Sequence, residues 1–320
     1  LTATYIAKKQ SDMKTGITPR EAMGLCKKRV CRPPNGKQIL RFYAKARNIV
    51  ARYTDRIESF GLDEMWFDLT GIAKNFDEAM AIVTEISDTV KFELGITVSI
   101  GLSFNKIYAK LGSDYKKPDA ITRIDRDNYQ DIVFPLPASD LLYVGPKTTY
   151  KLMLEGINTI GELASADVAR LKTVFGIVGE QLWVYAGGLD ISPVDANNGA
   201  KIQSVGNSQT AYRELVNDYD IWRWCLMLAE SVAYRLQQQG LRCRGVEFYA
   251  SVLQGEVRYG GTRQGRIRSP ACNAYEIAKA AYHLFKTKWL RDYGWSHSIR
   301  AIGVRAIDLV DSTFHRQLDM

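Results

Sequence analysis

Apolar and polar positions alternate most sharply between Arg56 and Thr70, RIESFGLDEMWFDLT. Ile57 and Ser59 alternate with Glu58 and Phe60 on a first arm, and Met65, Trp66, Phe67 and Leu69 give the second arm the bias of a strand. The pattern predicts a β-hairpin with Asp63 and Glu64 at its tip. Helical periodicity surrounds it. A helix over about Lys37 to Tyr53 follows a Pro-Pro-Asn-Gly turn, and another over about Asp77 to Leu94 carries Ala79, Ile82, Val83, Ile86 and Val90 on one face. Upstream, a short strand, the stretch TYIAKKQ and a turn at Lys14-Thr15-Gly16 lead to a helix announced by Thr18, Pro19 and Glu21. Downstream, ITVSIGLS predicts a β-branched strand, and Ser103 is expected to cap a helix containing Asn105-Lys106 and Ala109-Lys110. This order predicts an antiparallel sheet backed by helices, the ferredoxin-like split arrangement, with the acidic tip at its centre.

From Leu136 the pattern shortens to small helices between glycine turns. Val144-Gly145-Pro146-Lys147 reads as the turn of a helix-hairpin-helix, with a helix from Thr148 directing backbone N–H groups and Lys147 at a phosphate, and FGIVGEQLW, Phe175 to Trp183, is a second copy. Tyr185 to Ala200 is rich in Gly, Asn and Asp and reads as a linker. Beyond it comes a βαββαβ pattern: a strand from Gln203 to Tyr212, a helix from about Asp218 to Gln239, strands at Gly245–Leu253 and Glu256–Arg263, a helix from Ala274 to Arg291, and a strand at Ser298–Leu309. Arg242, Arg244, Arg258, Arg263, Arg266 and Arg268 fall on or beside these strands, so a sheet with one helix-covered face and one arginine-bearing face is expected to suit a nucleic-acid groove.

Composition narrows the class. Of 320 residues 46% are hydrophobic and 24% charged, which is ordinary for a globular protein of two or three domains. No apolar run is long enough for a membrane span and no leader resembles a signal peptide, so a cytoplasmic protein is the expectation. Five scattered cysteines argue against a disulfide framework, and three histidines against a zinc site. The net charge of +8 is uneven: from Lys201 to Met320 there are 17 basic and 11 acidic residues, placing +6 in the last third. Either a solvated basic face or a phosphate-backbone surface accounts for that excess. For Asp63-Glu64 two readings likewise stand: a solvated turn, or a Mg²⁺ site, since adjacent carboxylates between apolar strands are costly to hold ionised without a cation.

Together these residues resemble the Y-family DNA polymerases, the translesion class that includes UmuC-like proteins, over almost the whole chain. TATYIAKK is similar to the family's fingers segment, LDEMWFDLTG to its second catalytic motif, ITVSIGLSFNKIYAKLGSDYKKPD to its palm strand and helix, and QSVGNSQT onward to its little finger. The resemblance implies an α+β right-hand architecture with a ferredoxin-like palm. Residues 1–35 would be fingers, 36–130 palm, 131–190 a helix-hairpin-helix thumb, 191–200 linker, 201–310 a βαββαβ little finger and 311–320 a tail. It implies template-directed DNA synthesis in DNA repair and SOS mutagenesis with two Mg²⁺ ions: Asp63 and Glu64 as metal ligands, Thr2, Tyr5, Lys8 and Lys117 on the triphosphate of a deoxynucleoside triphosphate, and primer-template DNA held at Gly145, Lys147 and the six arginines. Gln317, Leu318 and Met320 resemble the start of a sliding-clamp-binding tail.

Two departures qualify the match. Gly61-Leu62 stands where the family has a serine before the carboxylate pair, and Tyr143 where the thumb hairpin has its first glycine. The family's opening strand, with an earlier Asp ligand and the aromatic that gates ribose selection, has no counterpart after Leu1, so a fragment inactive by itself, with one metal ligand missing, is the expectation. A DNA-binding or scaffolding protein that has lost catalysis is the alternative.

Overall fold

Side-chain caps set most of the helix starts. Thr4 accepts from the Ala7 N–H to open α1 (Tyr5–Ser11), and Thr18 with Glu21 closes a reciprocal box at α2 (Pro19–Leu25). The computed structural model describes residues 2–26, 30–197, 202–254, 257–295 and 299–313, and only the backbone of Gln254 and Arg258. No strand precedes α1 among them; the first segment goes straight into the helix that Thr4 caps. α3 (Gly36–Val50) begins behind Asn35.

β1 (Ile57–Phe60) and β2 (Glu64–Phe67) form the expected antiparallel hairpin, Ile57 opposite Phe67 and Phe60 opposite Glu64. Gly61, at φ 75°, supplies the left-handed residue of its turn. α4 (Phe76–Leu94) starts at Asn75, whose carboxamide accepts from the Asp77 and Glu78 N–H groups. β3 (Ile100–Ser103) takes only the second half of ITVSIGLS, and α5 (Lys106–Tyr115) is capped by Asn105, 2.8 Å from the Tyr108 nitrogen. Ser103 does not cap it, because Ser103 is the last residue of β3 and an Asn two positions on serves as well. β4 (Ile121–Ile124), which the sequence pattern did not reveal, lies parallel to β3. In place of one antiparallel sheet, the described residues of this part make two two-stranded sheets, one antiparallel and one parallel, with α5 as the crossover the parallel pair needs.

The β3–α5 contact is closer than side chains would permit. A Cβ on Gly101 would lie 1.8 Å from the Ala109 carbonyl oxygen, and one on Gly112 would lie 3.1 Å from the Gly101 Cα. These glycines let α5 press onto β3. That seating sets where Lys106 and Lys110 stand relative to the hairpin.

α6 (Tyr129–Val133), α7 (Pro146–Leu154), α8 (Ile160–Ala164), α9 (Val168–Phe175) and α10 (Ile177–Ala186) share one core with α5, in which Leu152, Ile160, Leu163, Leu171 and Leu182 pack with Ile107, Tyr108 and Leu111. The Tyr108 hydroxyl donates to the Ala186 carbonyl at 2.8 Å. The segment after α10, read from composition as a linker, is fastened to the same helix. Asn105 Nδ2 donates to the Gly188 carbonyl (3.0 Å) and Lys106 Nζ to the Pro193 carbonyl (3.3 Å). Glu58, only 1% exposed, accepts from both Lys106 Nζ (2.6 Å) and the Asp195 backbone N–H (2.8 Å). Trp66 seals this clasp: the Lys106 ammonium lies 4.7 Å over its ring, and its Nε1 donates to the Lys106 carbonyl.

Contacts divide the chain into two units, 1–198 and 199–320. The second unit holds β5 (Val205–Leu215), α11 (Asp218–Gln238), β6 (Leu241–Gln254), β7 (Val257–Ala271), α12 (Ala274–Leu284), α13 (Leu290–Tyr293) and β8 (Ile299–Asp311). Its four strands run antiparallel in the order β5-β8-β6-β7. Phe248, Phe285 and Trp289 are fully buried between the sheet and its helices, each burial stabilising by roughly 1.5–3 kcal/mol. The single helix expected over 274–291 is broken by a π-helical turn, Phe285–Trp289. That turn carries the aromatic pair into the core.

Glu58→Ala leaves the Lys106 ammonium without its carboxylate at a site only 14% exposed, and is expected to cost about 3–5 kcal/mol of unfolding free energy. Replacing both partners by apolar residues, Glu58→Leu with Lys106→Met, should cost less than Glu58→Ala alone. Denaturant unfolding of the three variants checks the order, and a double variant worse than the single would contradict it.

Candidate functional site

The hairpin and α5 converge on one row of charge. Asp63 is exposed in the turn and Glu64 opens β2, its side chain 35% exposed. Lys110 Nζ, 46 residues away in sequence, donates to Glu64 Oε1 at 2.8 Å and to Asp114 Oδ2 at 2.9 Å. Lys117 Nζ lies 2.6 Å from the other oxygen, Asp114 Oδ1. The result is an alternating row of Glu64, Lys110, Asp114 and Lys117. Burial pulls the Lys110 ammonium down, but the bonds to Glu64 and Asp114 outweigh it and hold it above the ordinary lysine value. Burial likewise pushes Asp114 up, and its bonds to Lys117 and Lys110 outweigh that, holding the carboxyl below the usual carboxylate range.

Of the residues expected at the site, the structure brings together Glu64 and Lys117, through Lys110 and Asp114. Tyr5 and Lys8 lie on α1, both exposed, with the Lys8 ammonium 5.7 Å over the Tyr5 ring, and Thr2 precedes that helix. Among the described residues none of the three bonds to the hairpin. Lys110, Asp114, Glu58 and Lys106 were missed. The i,i+4 spacing of Lys110 and Asp114 on a helix was the signal that could have paired two of them.

Two hard oxygen donors on consecutive residues at a solvent-reaching tip are of the type Mg²⁺ takes, since it binds through one or two carboxylates and keeps water or phosphate on its remaining positions. Among the described residues no group of three or more His, Cys, Asp and Glu side chains gathers.

The hairpin helices differ from their neighbours in their caps. α7 begins at Pro146, two residues before the expected Thr148, behind Gly145, and α10 begins behind Gly176; neither has a side-chain cap. α8 and α9, between them, are capped by Thr159 and Asp167. No side chain covers the first-turn N–H groups of either helix, although the Gly179 N–H already donates to the Gly176 carbonyl, and the exposed Lys147 stands in the first turn of α7.

Strand parity sorts the arginines. On β7, Thr262, Gln264, Arg266 and Arg268 are exposed and alternate with half-buried neighbours. Arg263 pairs across the ladder with the buried Phe248, so it faces the helices, not the open side. There it binds Asp292 at 2.5 Å and lies 4.8 Å over the Tyr293 ring, which corrects its expected place on a nucleic-acid face. Arg244 is exposed and paired with Asp308 at 2.7 Å, whereas Arg242 is half-buried, its Nε without a hydrogen-bond partner among the described residues. The side chain of Arg258 and the tail residues Gln317, Leu318 and Met320 lie outside the described residues. Arg305, which the sequence pattern did not single out, is 53% exposed on β8, 3.6 Å from Glu247.

The comparisons with known proteins cover the chain from end to end. The model of the impB/mucB/samB family matches residues 1–114 and that of the impB/mucB/samB family C-terminal domain matches 202–320. The chain is 40% identical to DNA polymerase IV of Acetivibrio thermocellus over 100% of its own length and 78% of that protein's. To DNA polymerase IV 1 of Bacillus subtilis it is 33% identical, over 100% of its own length and 75% of that protein's. Among solved structures, the Y-family DNA polymerase chimera Dbh-Dpo4(243-245)-Dbh shares the fold at a TM-score of 0.82 and 20% identity, covering 97% of this chain and 87% of that one. An insertion ternary complex of Dbh DNA polymerase aligns at 0.60 and 19%, covering 96% and 86%. With its acidic hairpin, lysine-bearing helix and helical hairpins accounted for, the chain belongs to the impB/mucB/samB family of Y-family translesion polymerases and is a DNA-directed DNA polymerase.

Proposed function

We propose that the enzyme copies primer-template DNA past lesions by two-metal nucleotidyl transfer, with Asp63 and Glu64 as the protein's ligands to Mg²⁺. The observation that carries this reading is the 2.8 Å contact of Glu64 with Lys110, which joins the acidic tip to a helix whose next turns lead to Lys117. Magnesium, when bound, supplies positive charge to the attacking and leaving oxygens of an in-line displacement at the α-phosphate. The chain's residues do the rest. Asp63 and Glu64 hold the ion, and Lys117, with Thr2, Tyr5 and Lys8 from the fingers segment, neutralises the triphosphate of the incoming nucleotide. Residues 1–35 act as fingers, 36–130 as palm, 131–190 as thumb and 201–310 as little finger.

DNA is held by phosphate contacts from the uncapped starts of α7 and α10, with Gly145 and Lys147, and from the open sheet face bearing Arg244, Arg266, Arg268 and Arg305. Gln317, Leu318 and Met320 begin a tail that docks on a sliding clamp as an extended peptide. The cytoplasm, where scattered cysteines stay reduced, is the compartment proposed for the enzyme. No helix among the described residues is long and apolar enough to cross a membrane.

Asp63→Asn and Glu64→Gln are each expected to lower kcat for nucleotide addition by at least about a hundredfold while DNA affinity stays near that of the parent enzyme. Single-turnover extension together with DNA titration checks this, and intact turnover would overturn the assignment.

On the open sheet face, Arg266→Ala with Arg268→Ala should reduce the slope of log Kd for DNA against log salt by about 0.9 per lost contact. Arg263→Ala should leave that slope unchanged and lower the melting temperature, because its partners are Asp292 and Tyr293. Equal slopes for the double variant and the parent would move the DNA surface elsewhere.

A further inference from the structure

The row Glu64, Lys110, Asp114, Lys117 contains a carboxylate that neither the metal nor the nucleotide reading uses. Asp114 has each of its oxygens on a different lysine, Oδ2 on Lys110 at 2.9 Å and Oδ1 on Lys117 at 2.6 Å. Lys110 and Asp114 are four residues apart on α5, the spacing that stacks side chains along one helical face, and Lys117 follows just beyond the end of that helix, three residues after Asp114. The backbone just beyond is held separately, by Lys91 Nζ on the Asp119 carboxylate at 2.8 Å. Asp114 is therefore placed to act on where the two ammonium groups point.

We propose that Asp114 is a positioning residue of the polymerase reaction. It stands between a lysine of α5 turned to the Glu64 carboxylate and a lysine just past the helix end presented to the triphosphate of the incoming nucleotide, and the proposal rests on the roles assigned above to Glu64 and Lys117. Lys117 has a long, freely rotating stem, and its side chain is 32% exposed. Without a carboxylate between them, Lys110 and Lys117 repel, and Lys117 spends its time in rotamers directed at solvent. With Asp114 in place, it waits in one orientation and exchanges a carboxylate oxygen for a phosphate oxygen when nucleotide arrives.

The sign of the effect separates this from a simpler account. A carboxylate near a phosphate site also repels the ligand, so removing it could tighten nucleotide binding. Here the carboxylate is already neutralised by two ammonium groups, and the three side chains together carry a net positive charge, so loss of orientation outweighs relief of repulsion. Asp114→Asn keeps the size and removes the charge.

In the enzyme, Asp114→Asn is expected to raise KM for nucleotide about tenfold, as loss of one charge-assisted contact does, with kcat changed far less and DNA affinity unchanged. Asp114→Glu should recover part of the loss. In the Lys117→Ala background Asp114→Asn should add little, since the two would act through one contact. A purely structural role would lower the melting temperature and the active fraction, hence kcat, at constant KM; that result overturns the proposal, as does a lowered KM. If Lys117→Ala itself leaves KM unchanged, the assignment of Lys117 fails and the proposal falls with it. If Lys117→Ala raises KM and Asp114→Asn does not, the positioning role alone is refuted.

Discussion

A carboxylate and an ammonium taken out of water constrain the first unit more tightly than any of its apolar contacts. Glu58 is 1% exposed and the Lys106 side chain 14%, so each must meet the other and must also find further hydrogen-bond partners to be tolerated. Both do. Glu58 takes the Asp195 N–H and Lys106 reaches the Pro193 carbonyl, while Trp66 lies against the ammonium. A buried pair of this kind contributes little net stability over an apolar pair of the same size, but it tolerates few alternatives. It therefore specifies arrangement: β1, β2, α5 and the segment after α10 must come together in one way or leave a charge stranded.

From that arrangement the chemistry of the tip follows. Lys106 and Lys110 are four residues apart on α5, and each takes one glutamate of the hairpin, Glu58 in the strand body and Glu64 near the turn. Two pairs of the same composition end up with different work because they lie at different depths. The inner pair is covered by the linker segment and Trp66, which leave Glu58 1% and the Lys106 side chain 14% exposed. At the outer pair, with Glu64 35% exposed and Asp63 in the turn beside it, the carboxylates are open to solvent, as the proposed metal reading requires. The close seating of α5 on β3 through Gly101 and Gly112 keeps this gradient in place, since a shift of α5 would move both lysines together.

Much of this was legible in the sequence, and what was not has identifiable causes. The hairpin, α4 and the βαββαβ order were readable because their periodicity is local and long. β4 was not, because four residues between a Pro-containing turn and a short helix give no period to count, and its partner β3 is reached only through α5. The cap of α5 was misassigned because Ser103 and Asn105 are both good caps, and only the length of the strand decides between them. Asp63 and Glu64 were readable as an acidic pair at a hairpin tip, and Lys117 came from motif resemblance, which identifies types of residue and not the contacts among them. Glu58 was read as an ordinary strand position. Nothing in a single sequence shows that a glutamate in an alternating strand faces inward onto a lysine 48 residues away.

The arginines of the second unit show why a count of basic residues overstates a binding surface. A β-strand sends successive side chains to opposite faces, so a run such as Arg263, Arg266, Arg268 cannot be one patch. Arg263 shares its face with Phe248 and is drawn into an ion pair beneath α13, while Arg266 and Arg268 share theirs with the exposed Thr262 and Gln264. The first arginine then contributes to the fold and the other two to the field. Charge on the open face is further reduced where a carboxylate stands opposite, as Asp308 does to Arg244 and Glu247 to Arg305. An arginine already paired at an exposed site keeps its partner weakly, because such pairs are worth about 0–1 kcal/mol, so a phosphate can replace that carboxylate at small cost. The open face is thus basic in a loosely held way: Asp308 pairs with Arg244 and also feels the charge of Arg266, so one carboxylate tempers two of its arginines.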